Sequence, residues 1–514
     1  MQRVTMLTEY PRKTATGVIR KWRVPDSRFP DCLGQGGDWP HQIWFAAVVH
    51  SAHGYWIDEA GLPPALPVLD GHLDVDVVIV GGGFTGMWTA WHLTEADPDL
   101  KIALLDSHRI GCGPSGRNGG FADAMWVSFA RLSDRYGMPA ALEVARASEE
   151  SVGQIGEFCA RQGIDAWFRK DGYLNVSTSS AQDGSWKRNT DPIAAAGKSA
   201  VFSELAPEGV SEICRSPRFR GGVFYPDVAT VQPARLAFGI RAALIGRGVA
   251  LFENSQVLRV EDGPGGVTVR TASGKVTAER VVLAAGPALA GRGSPVRSSI
   301  TIASSHMVIT EPVPDLIEEI GWTGGEAISD CRALLSYFRT TPDGRIAFGW
   351  GGGRIAPGGR RFGRAEIDRE VVDQVGVVLR DYFPGLAGCQ LEHAWGGPID
   401  ASATHLPHIA RLPSGRGFAA FGYTGNGVGP SQMIGRSLAS LAIGREDRYS
   451  SLALVEPAAA LSRIPPEPFR FIGGTVIREA IGRKEEAEAE GRRPGPLVSA
   501  VSAVPRLIGF HIGR

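Results

Sequence analysis

The chain is poor in the features that mark several protein classes. Its six cysteines, Cys32, Cys112, Cys159, Cys214, Cys331 and Cys389, are scattered, with no CxxC pair. That excludes a cysteine-built zinc site or a dithiol motif, so no metal site is expected and the thiols are read as reduced, as in a cytoplasmic protein. No apolar run approaches the ~20 residues that cross a bilayer, so no membrane span is expected. The basic, apolar, small-residue order of a secretory signal is missing from the N-terminus. Neither sign of charge is in excess: 54 basic residues face 54 acidic ones, which argues against a nucleic-acid or polyanion partner. There is no internal repeat and no long low-complexity stretch. What is present is length: 514 residues, 43% of them hydrophobic, which suits two compact domains or one large domain with insertions. The stretch before Tyr55 is rich in Arg, Pro and Gly without a period. Residues 1–54 are read as an N-terminal extension, either a mobile segment or sequence upstream of the true start.

The most informative segment is VVIVGGGFTG, residues 77–86. An apolar strand pattern from Asp74 to Val80 runs into Gly81, Gly83 and Gly86, spaced G-x-G-x-x-G. A helical pattern opening with Phe84 and Thr85 follows, and then a second strand, KIALLD, ends at Asp106. Context lifts this motif above chance. The first glycine permits a tight turn, the second lets the backbone approach a pyrophosphate, and the third lets helix and strand pack closely. The helix N-terminus offers unpaired N–H groups to phosphate. Asp106, with Ser107 beside it, stands where an acid holds a ribose, and an acid there favours a free 2′-hydroxyl.

Two further glycine-rich segments separate FAD from NAD. RIGCGPSGRNGGF, residues 109–121, follows the second strand. FGYTGNGVGPSQMIGRSLA, beginning at Phe421, is a second strand–glycine–helix unit. A helix N-terminus there would face the pyrimidine end of a flavin, where negative charge appears on reduction. Separated glycine-rich contacts imply one long ligand crossed by several segments, which suits FAD better than NAD.

The motifs VVIVGGGFTG, GPSGRNGG, FYPDVATVQPARLA, RVVLAAG, WGGPID and FGYTGNGVGPSQMIGR occur in the order and spacing of a known family. From about Tyr55 to Gly491 the chain resembles the FAD-dependent amine and amino-acid oxidases of the glycine oxidase, D-amino-acid oxidase and sarcosine oxidase superfamily, most of all their γ-glutamylputrescine oxidase branch. The resemblance implies an α/β architecture: a Rossmann-type FAD-binding domain with an inserted antiparallel-sheet substrate domain. The expected FAD domain comprises residues 55–125, 226–299 and 393–445, and the expected substrate domain 126–225 and 300–392, with a helical tail over 446–514. It further implies that Gly81, Gly83 and Gly86 contact the pyrophosphate and that Asp106, where the family more often has Glu, holds the ribose. Ser115, Gly116, Arg117, Asn118, Gly119 and Gly120 line the ribityl chain and ring. Val257 presents its backbone to adenine, Ala285 and Gly286 lie against the cofactor, and Gly425, Asn426, Gly427 and Val428 meet the pyrimidine edge. Gly397 and Asp400 lie near this crossing without an assigned role. Some relatives tether flavin through a cysteine on a glycine-rich segment. The matching segment here, FGWGGGRI, residues 348–355, has none, so non-covalent FAD is expected.

Flavin chemistry on an amine asks the protein for positioning and a dry pocket. Four residues are candidates for the substrate side. His306 is set on a strand that the resemblance turns toward the flavin, as a proton acceptor with a near-neutral pKa; a hydrogen-bonded structural histidine is the alternative. Tyr337 and Arg339 occupy alternate positions of one strand, so they share a face. Arg339 suits a carboxylate or phosphonate as well as it suits solvent. Tyr423, next to the C-terminal loop, is either a pocket wall or a core aromatic. The expected reaction is oxidation of the CH–NH bond of a small amine or amino acid to an imine, with O₂ reoxidising the flavin to give H₂O₂. The alternatives are a dehydrogenase of the same fold passing electrons to a quinone or protein acceptor, and a flavin-binding subunit without turnover of its own. The particular amine and the oligomeric state stay open at this stage.

Overall fold

The computed structural model describes residues 4–5, 49–50, 53–263 and 265–507. Most of the expected N-terminal extension lies outside the described residues. Two mixed sheets organise the rest.

The first sheet has a parallel centre. Ala250–Phe252, Ile102–Leu105, Gly71–Val80, Gly274–Leu283 and Gly417–Phe421 lie side by side in that order. Parallel strands are covered on both faces and so read as unbroken apolar runs. Accordingly Val77, Val78 and Ile79 are buried, as is all of Ile102–Leu105. The long strand Gly274–Leu283 serves two neighbours along one edge. Its first half pairs antiparallel with Gly266–Arg270, and its second half pairs parallel with Gly417–Phe421.

Two helices that begin at the glycine turns, Phe84–Ala96 and Val428–Ala442, pack against each other with almost no gap. A Cβ on Gly435 would stand 2.6 Å from Cβ of Trp88, so only glycine allows this approach. Trp88 and Trp91 each meet Phe158 of the helix Met138–Gln162 edge-on, with centroids 4.8 Å apart. That helix therefore shares the cofactor-side core, although its residues fall in the range expected for the substrate domain. Aromatic burial on this scale holds it there, at about 2–3 kcal/mol per ring.

The second sheet runs Val49–His50, Leu391–Ser402, Ile300–Thr310, Ile346–Trp350, Ser336–Thr340, Ala327–Asp330, Tyr173–Val176, Gly222–Tyr225 and Ser203–Leu205. Most neighbours are antiparallel; the exceptions are Val49–His50 with Leu391–Ser402 and Ala327–Asp330 with Tyr173–Val176. Leu391–Ser402 pairs along almost its whole length with Ile300–Thr310. It thus belongs to this sheet, so the expected return to the FAD domain at residue 393 does not coincide with the sheet boundary. One face carries Phe338 stacked on Phe348 at 5.0 Å and packs on the helix Arg369–Tyr382. The opposite face turns to the glycine loops.

Val455–Pro457 adds a strand to the edge of the first sheet, and the helices Phe469–Ala489 and Pro496–Leu507 complete the described tail. The range expected as a helical tail thus also carries a short strand. Among the described residues no helix is long and apolar enough to cross a membrane, no group of side chains could hold a metal ion, and Cys112, Cys159, Cys214, Cys331 and Cys389 are free thiols.

Candidate cofactor and substrate site

The first glycine turn is built by exclusion. Gly81 has φ +113°, and a Cβ there would lie 2.4 Å from the Ala284 carbonyl oxygen. A Cβ on Gly86 would lie 2.0 Å from the Gly81 carbonyl oxygen. No other residue type fits either place. Ala285 and Gly286 follow directly after Ala284, so the end of RVVLAAG lies against this turn. Gly83 precedes the helix, and the Ser115 hydroxyl accepts the Phe84 N–H at 2.8 Å. The loop of residues 113–120 is thereby latched to the helix start.

Asp106 caps the turn from the second strand. One carboxylate oxygen accepts Gly82 N–H at 2.7 Å and the other accepts His108 N–H at 2.8 Å. Burial pushes its pKa up, and those two N–H groups pull it back. The Ser107 hydroxyl pairs with the His108 ring nitrogen at 2.9 Å and faces away from the turn's hydrogen bonds. Val257 is buried under the same sheet.

The second loop folds on itself. Asn118 bonds Pro114 and Ser115 carbonyls through its side-chain nitrogen and accepts Gly120 N–H at 2.7 Å. A Cβ on Gly116 would lie 2.4 Å from the Gly111 carbonyl oxygen. The Arg117 carbonyl accepts the Trp395 indole N–H at 2.8 Å, and burial lowers the Arg117 pKa.

At the far end, Thr424 and Gly425 both adopt positive φ, +52° and +90°. Gly427, which has no side chain of its own to cap with, then precedes the helix Val428–Ala442. Asp400 holds this turn from behind. Its carboxylate accepts Gly422 N–H at 2.6 Å, and its carbonyl accepts Thr424 N–H at 3.0 Å. Burial raises the Asp400 pKa to about 6. In front, a Cβ on Gly397 or Gly425 would meet nothing closer than Arg117 Cζ or Ile399 Cδ1, each at 4.0 Å. Room is thus left beside Gly397 and Gly425, next to the N-terminus of the helix Val428–Ala442. These residues fit a dinucleotide that spans both ends.

The substrate-side candidates divide. Tyr337 reaches the site. Its ring lies over Gly349, where a Cβ would come within 2.2 Å of Cζ, and under Gly119, where a Cβ would come within 2.9 Å of Cε2. Burial raises its pKa to about 12, so the phenol is neutral. Its oxygen pairs with the Ser305 hydroxyl at 2.8 Å. Tyr423 bonds Thr85 at 2.7 Å, tying the two glycine turns together; burial raises its pKa strongly.

Arg339 lies beside Tyr337 but behind the loop. Its guanidinium is 1% exposed and donates to the carbonyls of Val231 at 2.6 Å and Thr340 at 3.2 Å. A Cβ on Gly120 would stand 2.6 Å from its Nη1, and burial lowers its pKa to about 9. The expectation of a carboxylate-binding or solvated Arg339 does not match this placement: it braces the cofactor loop.

His306 differs from expectation as well. Its ring lies on the other face of the sheet, where Nε2 accepts Asp368 N–H at 3.0 Å at the start of the helix Arg369–Tyr382. Burial lowers its pKa to about 4. It is a neutral structural acceptor here. Its neighbour Ser305, on the loop-facing side, is the residue that sequence reasoning missed.

The FAD dependent oxidoreductase family matches residues 76–441, and the chain belongs to that family. The chain is 28% identical over 436 residues to gamma-glutamylputrescine oxidoreductase of Escherichia coli, covering 82% of this chain and 94% of that protein. It is 27% identical over 441 residues to the probable oxidoreductase OrdL of Rhizobium meliloti, covering 83% and 95% respectively. Among solved structures, glycine oxidase from Geobacillus kaustophilus superposes with a TM-score of 0.62 at 20% identity, covering 77% of this chain and all of that one. The protein is an FAD-dependent oxidoreductase, and its FAD is held non-covalently, in keeping with the cysteine-free segment from Phe348 to Ile355.

Proposed function

We propose that the protein oxidises the C–N single bond of a small amine or amino acid to an imine, and that O₂ is the final electron acceptor. Overall, amine, O₂ and water give a carbonyl compound, the released amine or ammonia, and H₂O₂. Bound FAD supplies the two-electron acceptor. The observation that carries this reading is the seating of Tyr337, from the substrate sheet, directly on Gly119 of the cofactor loop. A substrate held at that phenol stands next to the cofactor. The names of the relatives support the substrate class: gamma-glutamylputrescine oxidoreductase, glycine oxidase and sarcosine oxidase subunit beta.

The protein's own part in this scheme is positioning. Tyr337 presents its phenol oxygen to the amine, Ser305 orients that phenol, Phe121 meets the Tyr337 ring edge-on at 5.9 Å and narrows the space, and Tyr423 closes the C-terminal end. Gly397 and Gly425 leave room where a planar ring would lie. With His306 turned to the opposite face, no side chain is assigned as a proton acceptor, and the reactive amine is the neutral form. The test is an amine and amino-acid panel on the purified yellow protein. Oxidisable amines should bleach the flavin absorbance anaerobically and release H₂O₂ in air. Bleaching without peroxide would replace O₂ by another acceptor, and a flavin that no amine bleaches would end the reading.

A further inference from the structure

Hydrogen-bond direction at Ser305 fixes what Tyr337 offers a ligand. The Ser305 oxygen lies 2.8 Å from the Tyr337 oxygen and 3.1 Å from the Trp350 carbonyl oxygen. A carbonyl only accepts, and a serine has one hydrogen. The one assignment that satisfies both contacts has Ser305 donate to Trp350 and accept from Tyr337. The phenol hydrogen is then committed to Ser305, and the lone pairs of the phenol oxygen are left to accept from a ligand.

The ring cannot swing to change this. Gly349 lies beneath it and Gly119 above it, both at distances that no Cβ would tolerate. The edge of Phe121 stands perpendicular to it, at 88°. Tyr337 and Ser305 are both half-buried, at the rim of the site. Strand register places them on one face: Ser305 is opposite Gly397, Met307 opposite Gly349, and Gly349 opposite Tyr337.

We infer that Ser305 is a positioning residue that makes Tyr337 a dedicated hydrogen-bond acceptor for an N–H donor of the substrate, so that the site selects amines by their N–H groups and not by charge alone. This rests on the proposed amine oxidation, because it assigns the polarity of that same site. A tyrosine free to rotate its hydroxyl spreads its hydrogen over orientations that donate to a carboxylate and that meet an approaching N–H, so it accepts from an ammonium less well. With its hydrogen committed to Ser305, it repels a carboxylate oxygen through its lone pairs. The chemistry of the pair also predicts the effect of its loss: Ser305→Ala keeps the phenol but releases its hydrogen, while Tyr337→Phe removes the acceptor itself.

The test uses the FAD-loaded enzyme and two ligands that cannot be oxidised. The tert-butylammonium ion carries N–H groups but no α-hydrogen; tetramethylammonium carries the same charge and no N–H. Binding is followed by calorimetry and by the perturbed flavin absorbance. Tyr337→Phe and Ser305→Ala should each weaken tert-butylammonium about tenfold, the factor expected for losing an oriented hydrogen bond from a charged donor. Neither should change tetramethylammonium binding, and Ser305→Thr, which keeps a hydroxyl, should restore tert-butylammonium affinity. A Ser305→Ala enzyme that binds tert-butylammonium like the wild type would overturn the positioning role. Equal weakening of both cations, or no binding of tert-butylammonium by the wild type, would overturn the N–H selectivity. Failure of the underlying function is seen separately, as the absence of anaerobic bleaching by any oxidisable amine.

Discussion

The hydroxyl of Thr85, in the first turn of the helix Phe84–Ala96, lies 2.7 Å from the phenol oxygen of Tyr423, which opens the C-terminal glycine turn. Residues 338 positions apart thus join the two glycine turns directly. Both turns must sit at a fixed separation to hold one long ligand, and this bond sets part of that separation. Tyr423→Phe removes it while keeping the ring. FAD affinity should fall about fivefold, equivalent to about 1 kcal/mol for one buried hydrogen bond. Thr85→Val should do the same, and the double variant should be no weaker than either single one, since the two lose one shared interaction. Fluorescence titration of apoprotein with FAD checks this; additive losses would show that the residues act separately.

The glycine at position 86 tolerates no side chain. A Cβ there would overlap the Gly81 carbonyl oxygen at 2.0 Å, so Gly86→Ala must push the helix off the strand or flatten the turn. Either movement would disrupt the turn proposed to hold the pyrophosphate. The variant should be recovered colourless, with no spectral shift on adding FAD. Gly397→Ala is the contrast, because its Cβ would meet nothing closer than 4.0 Å. That protein should fold with unchanged thermal stability and lose FAD affinity only through intrusion on the ligand's space. A yellow Gly86→Ala protein of normal stability would contradict the geometry.

The glycine turns were legible because their constraints are local. Strand, turn, helix and acid follow one another in the single stretch from Asp74 to Asp106, so the motif can be read there even though the contact that forbids a side chain at Gly81 comes from distant Ala284. The substrate side was not legible for an equally physical reason. Successive residues of a strand point to opposite faces, so a choice between His306 and Ser305 depends on which face meets the cofactor loop. That is settled by pairing with Leu391–Ser402 and Ile346–Trp350, far away in sequence. Sharing a face was read correctly for Tyr337 and Arg339, yet one meets the site and the other is roofed over by Gly120 and Val231. The roof comes from two other segments, which alternation within one strand cannot reveal.

Asp400 carries a pH signature. Its pKa in the folded protein is about 6, raised by burial from 3.8. A raised carboxyl pKa means that the folded state binds the proton more tightly than the unfolded state. The associated stabilisation is fully present below about pH 4 and is lost as pH rises through about 6. At neutral pH the buried carboxylate costs on the order of 3 kcal/mol, at about 1.4 kcal/mol per pH unit. Asp400→Asn keeps an oxygen for Gly422 N–H and has no charge to bury. Relative to wild type, its melting temperature should therefore rise between pH 4.5 and pH 7.5. Parallel melting curves across that range would remove the assignment.

Glu485 anchors the helix Phe469–Ala489 to the substrate sheet. Its Oε1 accepts the backbone N–H groups of Ala333 and Leu334, in the loop that leads into the strand bearing Tyr337. The Leu334 carbonyl in turn accepts the Trp350 indole N–H at 2.7 Å, and Arg478 of the same helix lies 5.5 Å from that ring. Removing the carboxyl leaves two N–H groups in a largely buried loop without their acceptor, which costs about 1–3 kcal/mol. Glu485→Ala should therefore speed amide exchange at Ala333 and Leu334 and expose the joint near Pro465 to proteolysis, while the FAD spectrum is unchanged. The anchoring also depends on pH. Burial, reinforced by Asp330 and opposed by Arg332, raises the Glu485 pKa from 4.5 to about 7. The stabilisation is fully present below about pH 4.5 and fades as pH rises through about 7. Exchange in the wild-type loop should thus be slower at pH 6 than at pH 8 after correction for the intrinsic rate. Glu485→Gln, which cannot ionise, should show no such change, and a Gln variant that still loosened between those two values would assign the effect to Asp330 and Arg332 instead.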